Sequence, residues 1–186
     1  MNTLLVYPQF PDTYWSFKHA LPIEGKKSAY PPLGLLTVAS MLPGQWNKRL
    51  VDTNIRPLTE TDLKWADVVM VSGMIVHKKE VIETLDRCRA RGLRTVVGGP
   101  VTTSVEELTQ HADAVVYGEA EDLIEELVAD LERGSPKPTY KAPRMPGLDR
   151  TPLPDLSLIN AKHYSAMPIQ YSRGCPFNCE FCDIIE

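Results

Sequence analysis

The chain is poor in the residues that most often announce chemistry. Its 186 residues include four cysteines and four histidines. It has no excess of positive charge: 20 Lys and Arg against 24 Asp and Glu leave a net charge of -4. That balance gives no basic footprint and argues against nucleic acid as the main partner. Long apolar runs are missing as well. Val68–Val71 and Ala114–Tyr117 are among the longest, far short of the ~20 residues a membrane helix needs. Met1-Asn2-Thr3 brings no basic segment ahead of its apolar run, and no cleavage pattern follows, so the chain reads as cytoplasmic. No G-x-G-x-x-G follows the first apolar run. Tyr7-Pro8-Gln9-Phe10-Pro11 stands there instead and makes no phosphate cradle, which argues against a nicotinamide or flavin dinucleotide. There is no internal repeat and no low-complexity tract.

What remains is a globular composition, 43% apolar and 24% charged, in a chain long enough to bury a core. Leu4–Tyr7 reads as a buried strand closed by Pro8. The segment from Pro8 to Pro31 holds Tyr14, Trp15, Phe17 and Tyr30 without a period, and long irregular segments inside compact domains are usually functional. Pro32–Leu42 reads as a helix stopped by Pro43-Gly44. It is apolar nearly all round, so it should be covered on more than one face. Strands are expected at Arg49–Asp52, Asp67–Ser72, Leu93–Val97 and Ala112–Tyr117. Helices are expected at His77–Ala90, with Val81, Ile82, Leu85 and Cys88 on one face, and at Glu119–Arg133. Ser104 and Glu107 form a capping-box pattern between them. Such alternation predicts a doubly wound α/β domain of about five parallel strands with right-handed crossovers.

The composition changes after Gly134. Prolines 136, 138, 143, 146, 152 and 154 predict a linker. Met167–Tyr171 reads as a new strand. The expected division is 1–134 for the α/β domain, 135–166 for the linker, and 167–186 for the start of a further domain, most of which should follow Glu186.

The cysteines sit in that last part. Cys175, Cys179 and Cys182 are spaced C-x3-C-x2-C within Arg173-Gly174-Cys175-Pro176-Phe177-Asn178-Cys179-Glu180-Phe181-Cys182. Clustered thiols in a reducing compartment suggest metal or catalysis before disulfides. A closed structural zinc site takes four ligands, as do most iron–sulfur clusters. Three thiolates leave one iron of a cubane open. A zinc site completed by His163 or by downstream ligands is the alternative. Cys88 reads as a buried thiol.

Doubly wound sheets bind ligands beyond the carboxyl ends of their strands. The strand-end candidates are Pro8–Asp12, Asp52–Asn54, Ser72-Gly73-Met74, Gly98-Gly99-Pro100 and Gly118-Glu119. At the glycines a ligand can approach the backbone closely. Glu119 and Glu121 also suit a helix start without any catalytic role. His77 reads as the opening of its helix, Asp52 as a solvated strand end, and Trp46 and Trp65 as packing.

The cysteine spacing, with Phe181 before the last cysteine, resembles the radical SAM superfamily. The resemblance implies a 4Fe–4S cluster on Cys175, Cys179 and Cys182. S-adenosylmethionine would sit on the open iron with its adenine beside Phe181. Reductive cleavage would give a 5'-deoxyadenosyl radical, so an external electron donor is implied. Arg173 and Asn178 flank that loop and would tune the cluster or orient S-adenosylmethionine.

The Ser72 and Gly98-Gly99 pair resembles the Ser-x-Leu and Gly-Gly signatures of cobalamin-binding domains, which are Rossmann/flavodoxin-like α/β sheets. The strings PPLGLLTVASML (31–42), VVGGPVTTSVEEL (96–108) and DAVVYGEAEDLIEELVADL (113–131) are similar to the N-terminal domains of cobalamin-binding radical SAM enzymes. By that resemblance Ser72 would contact the dimethylbenzimidazole of the nucleotide tail, and Gly98 and Gly99 would make room for it; Gly73, Met74, Gly118 and Glu119 join them as cofactor-binding candidates from their places at the strand ends. The Asp-x-His-x-x-Gly motif that supplies a cobalt ligand in many such domains is missing. Asp12-Thr13-Tyr14 stands in its place and His19 is out of pattern. A base-off cobalamin with no protein histidine below cobalt is therefore expected, with Tyr14–Phe17 either near the corrin or clasping the next domain.

The resemblance extends to the branch that includes hopanoid methylases, through IQYSRGCPFNCEFCDI and WSFKHAL. It implies the N-terminal part of a cobalamin-dependent radical SAM enzyme that methylates an unactivated carbon, with a polycyclic lipid as one possible substrate, and inactive as a fragment. The alternatives are a stand-alone cobalamin carrier or sensor, a non-methylating cobalamin radical SAM enzyme, and an iron–sulfur or zinc protein without corrin. No residue of this part is assigned to catalysis.

Overall fold

A computed structural model describes residues 1–175 and 177. Six parallel strands form one sheet in the order β2-β1-β3-β4-β5-β6. They are β1 (Asn2–Tyr7), β2 (Asn47–Asp52), β3 (Val68–Ser72), β4 (Arg94–Gly98), β5 (Ala114–Tyr117) and β6 (Thr139–Lys141). The helices are α1 (Leu33–Met41), α2 (Glu60–Trp65), α3 (Lys78–Arg89), α4 (Val101–Ser104), α5 (Leu108–His111) and α6 (Ile124–Arg133). The doubly wound α/β class is thus observed.

Alternation within the strands decides what lies on each face. Val69, Val71, Val97 and Val115 join Val81, Leu85, Cys88 and Leu108 in one core, under α3 and α5. Val68, Met70, Val96, Ala114 and Val116 face the other way, toward Leu123, Ile124, Leu127 and Leu131 around α6. Central strands of a parallel sheet are covered on both faces, which is why β3 is an unbroken apolar run. Cys88 is fully buried, as expected of a structural thiol.

Three expectations need correction. First, residues 135–166 are more than a linker, because they contribute β6, a sixth strand. It pairs with β5 in the register Val115 with Thr139. Pro138 is tolerated because this is a short edge strand, and its carbonyl still accepts from Val115 N at 2.9 Å. The buried Tyr140 hydroxyl donates to Asp130 at 2.7 Å and pins β6 to α6.

Second, the β5–α6–β6 crossover has the hand opposite to β3–α3–β4. Both connections move in the same direction across the sheet, yet α6 packs on the face opposite α3. Third, Met167–Tyr171 forms no strand, and Ile169 and Tyr171 are exposed.

The rest of the proline-rich stretch is docked on the domain. Asp155 N donates to the Leu36 carbonyl at 3.0 Å, and Ser40 Oγ donates to the Leu153 carbonyl at 2.6 Å. Leu158 packs against the cluster of Leu5, Leu35 and Ala39. This is the second covering that the nearly all-apolar α1 called for. Further on, Lys27 N and Ser28 N both donate to the His163 carbonyl, and Ser165 N donates back to Ser28 O at 3.0 Å. The buried Tyr164 hydroxyl donates to Asp52 Oδ2 at 3.0 Å.

Candidate functional site

The winding of the chain opens a gap between α1 and α6. α1 covers the face it shares with α6 near β1, and α6 covers it near β5 and β6. Between them the floor is made by every second residue of three strands: Met70 and Ser72, Val96 and Gly98, Val116 and Gly118. Gly34, Thr37, Val38 and Met41 of α1 form one wall, and Leu123, Ile124 and Leu127 form the other. The cavity has a volume of about 460 Å³, within the ~300–1,000 Å³ usual for small-molecule sites. It opens at the carboxyl ends of the strands, where this fold binds ligands.

The glycines at the mouth are there for steric reasons. Gly99 has φ +81, and a Cβ on it would collide with Ser72 Oγ. Gly118 has φ +79, and a Cβ there would lie 3.1 Å from the Ala142 Cβ. The Gly99 turn is held by other contacts. Thr102 Oγ1 donates to the Gly99 carbonyl at 3.0 Å, and Val101 N donates to the Gly73 carbonyl at 2.9 Å. The ends of β3 and β4 are thereby fixed relative to each other.

Of the sequence candidates, Ser72, Gly98, Gly99, Gly118 and Glu119 line this cavity. Gly73 and Met74 do not. Gly73 packs on His77 and Val81, and Met74 is partly exposed beside the exposed Ile75 and Val76. Cys175 is exposed. Cys179, Cys182, Asn178 and Phe181 lie outside the described residues. Tyr14 is exposed, and Phe17 caps its turn in the left-handed conformation with φ 52. His163 ends a single turn, Ala161–His163, that caps the docked stretch.

His77 caps the start of α3, as the sequence reading has it, and its burial is what the sequence did not show. It sits in the turn just before α3 and is wholly buried, at the switch point between β1 and β3. Its ring packs on Tyr7 and Phe10, with centroids 5.3 and 4.4 Å away. Nδ1 accepts from Met74 N at 3.0 Å, and Nε2 has no partner among the described residues. Burial lowers its pKa from 6.5 to about 4, so the ring is neutral at pH 7. Asp52, expected to be solvated, is buried. Burial raises its carboxyl above the usual range, and hydrogen bonds from Asn54 and Tyr164 oppose that shift.

Glu119 and Glu121 precede α6 rather than open it. Glu121 accepts from Thr151 Oγ1 at 2.7 Å and from Arg173, and the side chains of both Arg173 and Glu121 are almost fully buried. Burial pushes the Glu121 carboxyl up, but the Arg173 and Thr151 hydrogen bonds outweigh it, and its pKa lies below the ordinary value. Burial raises Glu119, only partly offset by Arg173. Arg173 itself lines the cavity, with Ile169 and Gln170. Sequence reasoning named Glu119, Glu121 and Arg173 singly but not their meeting at the cavity, and it missed the α1 wall. The one available signal was Gly34 in the first turn of an otherwise apolar helix.

The residues present fit the nucleotide tail of cobalamin. The cavity is mostly apolar, has a glycine-lined mouth that a Cβ would narrow, and offers the Ser72 hydroxyl at its floor. A flat aromatic base with a polar sugar attached suits that lining.

Comparison with known proteins agrees. The chain is 44% identical over its full length to an uncharacterized methyltransferase of Synechocystis sp., covering 35% of that protein. It is 35% identical to the hopanoid C-2 methylase of Rhodopseudomonas palustris, over 97% of this chain and 35% of that one. It is 32% identical to the bacteriochlorophyllide d C-12(1)-methyltransferase of Chlorobaculum tepidum, over 81% of this chain and 34% of that one. The chain thus spans about a third of the length of the curated relatives it matches. No solved structure matches it. The family model for the B12 binding domain matches residues 26–128. That stretch contains α1, β3, β4, β5 and most of the cavity lining, and the chain belongs to the B12-binding domain family.

Proposed function

We propose that the chain is the cobalamin-holding N-terminal part of a cobalamin-dependent radical SAM methyltransferase acting on an unactivated carbon. The observation that carries the reading is the cavity between α1 and α6, with Ser72, Gly98, Gly99 and Gly118 at its floor and mouth. The matched family and the names of the relatives support it.

Bound cobalamin supplies methyl-transfer chemistry. The chain's own residues bind and orient it. Ser72 offers a hydroxyl, the glycines admit the base, and Leu123, Ile124 and Leu127 exclude water. Glu119 belongs to the same lip. The exposed Met74, Ile75 and Val76 offer an apolar ledge at the same sheet edge for the corrin. His77 is a poor lower ligand to cobalt, because its ring is buried beneath Phe10.

Cys175, Cys179 and Cys182 would hold the 4Fe–4S cluster, with Phe181 beside S-adenosylmethionine. An external donor would reduce the cluster. Among the described residues no helix is long and apolar enough to cross a membrane. A cytoplasmic site of action would keep the thiols reduced. The named substrates of the relatives favour a large polycyclic molecule, and a polycyclic lipid fits the hopanoid methylase relationship best.

The test is to incubate the full-length protein with hydroxocobalamin, desalt it and record the visible spectrum, with iron and sulfide assayed after anaerobic reconstitution. Retained absorbance in a base-off form, with about four irons per chain, is expected. Corrin without iron would favour a carrier or sensor, and iron without corrin would overturn the reading of the cavity.

A further inference from the structure

The Arg173 side chain is 7% exposed although it is charged. Its two terminal nitrogens are engaged: one donates to the Pro146 carbonyl at 3.1 Å and the other to Glu121. Its Nε is ion-paired with Glu119 Oε1 at 3.5 Å but has no hydrogen-bond partner among the described residues. A buried, unsatisfied N–H on a charged group is costly. Here it belongs to a residue that lines the cavity. Glu121 is anchored in turn by Thr151, so the β5–α6 lip, the docked proline-rich stretch and Arg173 form one buried polar unit.

Two residues after Arg173 comes Cys175. Between them Gly174 turns the chain with φ +72, leaving a lever of a single residue. Sequence reasoning placed Arg173 beside a cluster. The structure places it at the cavity as well.

The geometry points to Arg173 as a positioning residue that couples what fills the cavity to the placement of Cys175. A ligand seated at the cavity lip packs against the Arg173 side chain, holds the guanidinium more firmly between Glu119 and Glu121, and through Gly174 fixes the first cysteine. Coupling of this kind is reciprocal, so a fixed Cys175 loop also favours the filled cavity. The inference rests on the cobalamin reading of the cavity, and its test separates the two.

The test uses full-length protein freed of metal by chelation, kept reduced, with cyanocobalamin as the probe. The readout is the rate of iodoacetamide labelling at Cys175, resolved by peptide mass spectrometry. Saturating cyanocobalamin is expected to slow labelling at least fivefold in the wild type and less than twofold in Arg173→Met. Arg173→Lys keeps the charge but not the fork and should fall between. Cys88 is the folding control, since burial raises its pKa to about 11 and should leave it unlabelled. If Arg173→Met exposes Cys88, Glu121→Gln replaces it, with protection again expected to drop below twofold.

Equal protection in the wild type and the variant overturns the coupling. So does bound corrin without protection in the wild type. If no corrin binds, the cobalamin reading of the cavity fails. The positioning role is then decided on the unliganded protein, where Arg173→Met should label Cys175 at least threefold faster and equal rates overturn it.

Discussion

The Ser72 hydroxyl occupies the space that a Cβ on Gly99 would need, so the ends of β3 and β4 close on each other only because position 99 is glycine. Both residues line the cavity, and Gly99 is held at φ +81. Gly99→Ala should therefore act twice. It should destabilise the fold by about 1–2 kcal/mol through the left-handed backbone, and lower cobalamin affinity at least tenfold by displacing Ser72. Gly44→Ala, where the added Cβ meets nothing within 4 Å, is the control. Thermal unfolding and a hydroxocobalamin titration measure the two effects, and unchanged affinity in Gly99→Ala would remove Ser72 and Gly99 from the site.

Val38 lies on α1 and faces the cavity. Val38→Phe should fill part of it, leaving the unfolding temperature unchanged or higher while cobalamin affinity drops at least tenfold. A variant that is as stable as the wild type and binds corrin equally well would place the ligand elsewhere.

The stretch after β6 is held by a buried bond from Tyr164 to Asp52 at 3.0 Å. Tyr164→Phe leaves Asp52 one donor short at a cost of about 1–3 kcal/mol. Urea unfolding should show that loss, and limited proteolysis should cut residues 143–166 faster. Because burial raises the Asp52 pKa above 3.8, its contribution to stability is present below that value and is lost as pH rises through the folded pKa. The stability of the wild type relative to Asp52→Asn should accordingly fall as pH rises from about 3 through the carboxylate range.

His77 gives the opposite slope. Its pKa falls from 6.5 to about 4 in the folded state. The unfolded chain takes up the proton first, so stability is full above pH 6.5 and is lost between 6.5 and about 4 as pH falls. The slope approaches about 1.4 kcal/mol per pH unit. Urea denaturation across that interval should show it, and His77→Gln should flatten it.

How much of this could be read in the sequence differs from element to element. β3 was legible because a strand buried on both faces must be apolar at every position, and Val68–Val71 is. α1 was legible as doubly covered for the same reason. β6 was not, because three residues between prolines carry no periodicity and the pairing comes from β5. Asp52 looked like a solvated strand end, since nothing local says that Tyr164, 112 residues later, will bury it.

The α/β class, the glycines at the mouth and the spacing of the cysteines are legible in the chain alone. These are local matters of steric freedom, strand alternation and ligand spacing. That α1 and α6 stand apart over β3, β4 and β5, that His77 is buried, and that Arg173 lines the cavity against Glu119 and Glu121 follows from the packing of distant segments. Those outcomes depend on which face each crossover takes and on contacts between residues far apart in the chain, and hydrophobic pattern alone is silent on both.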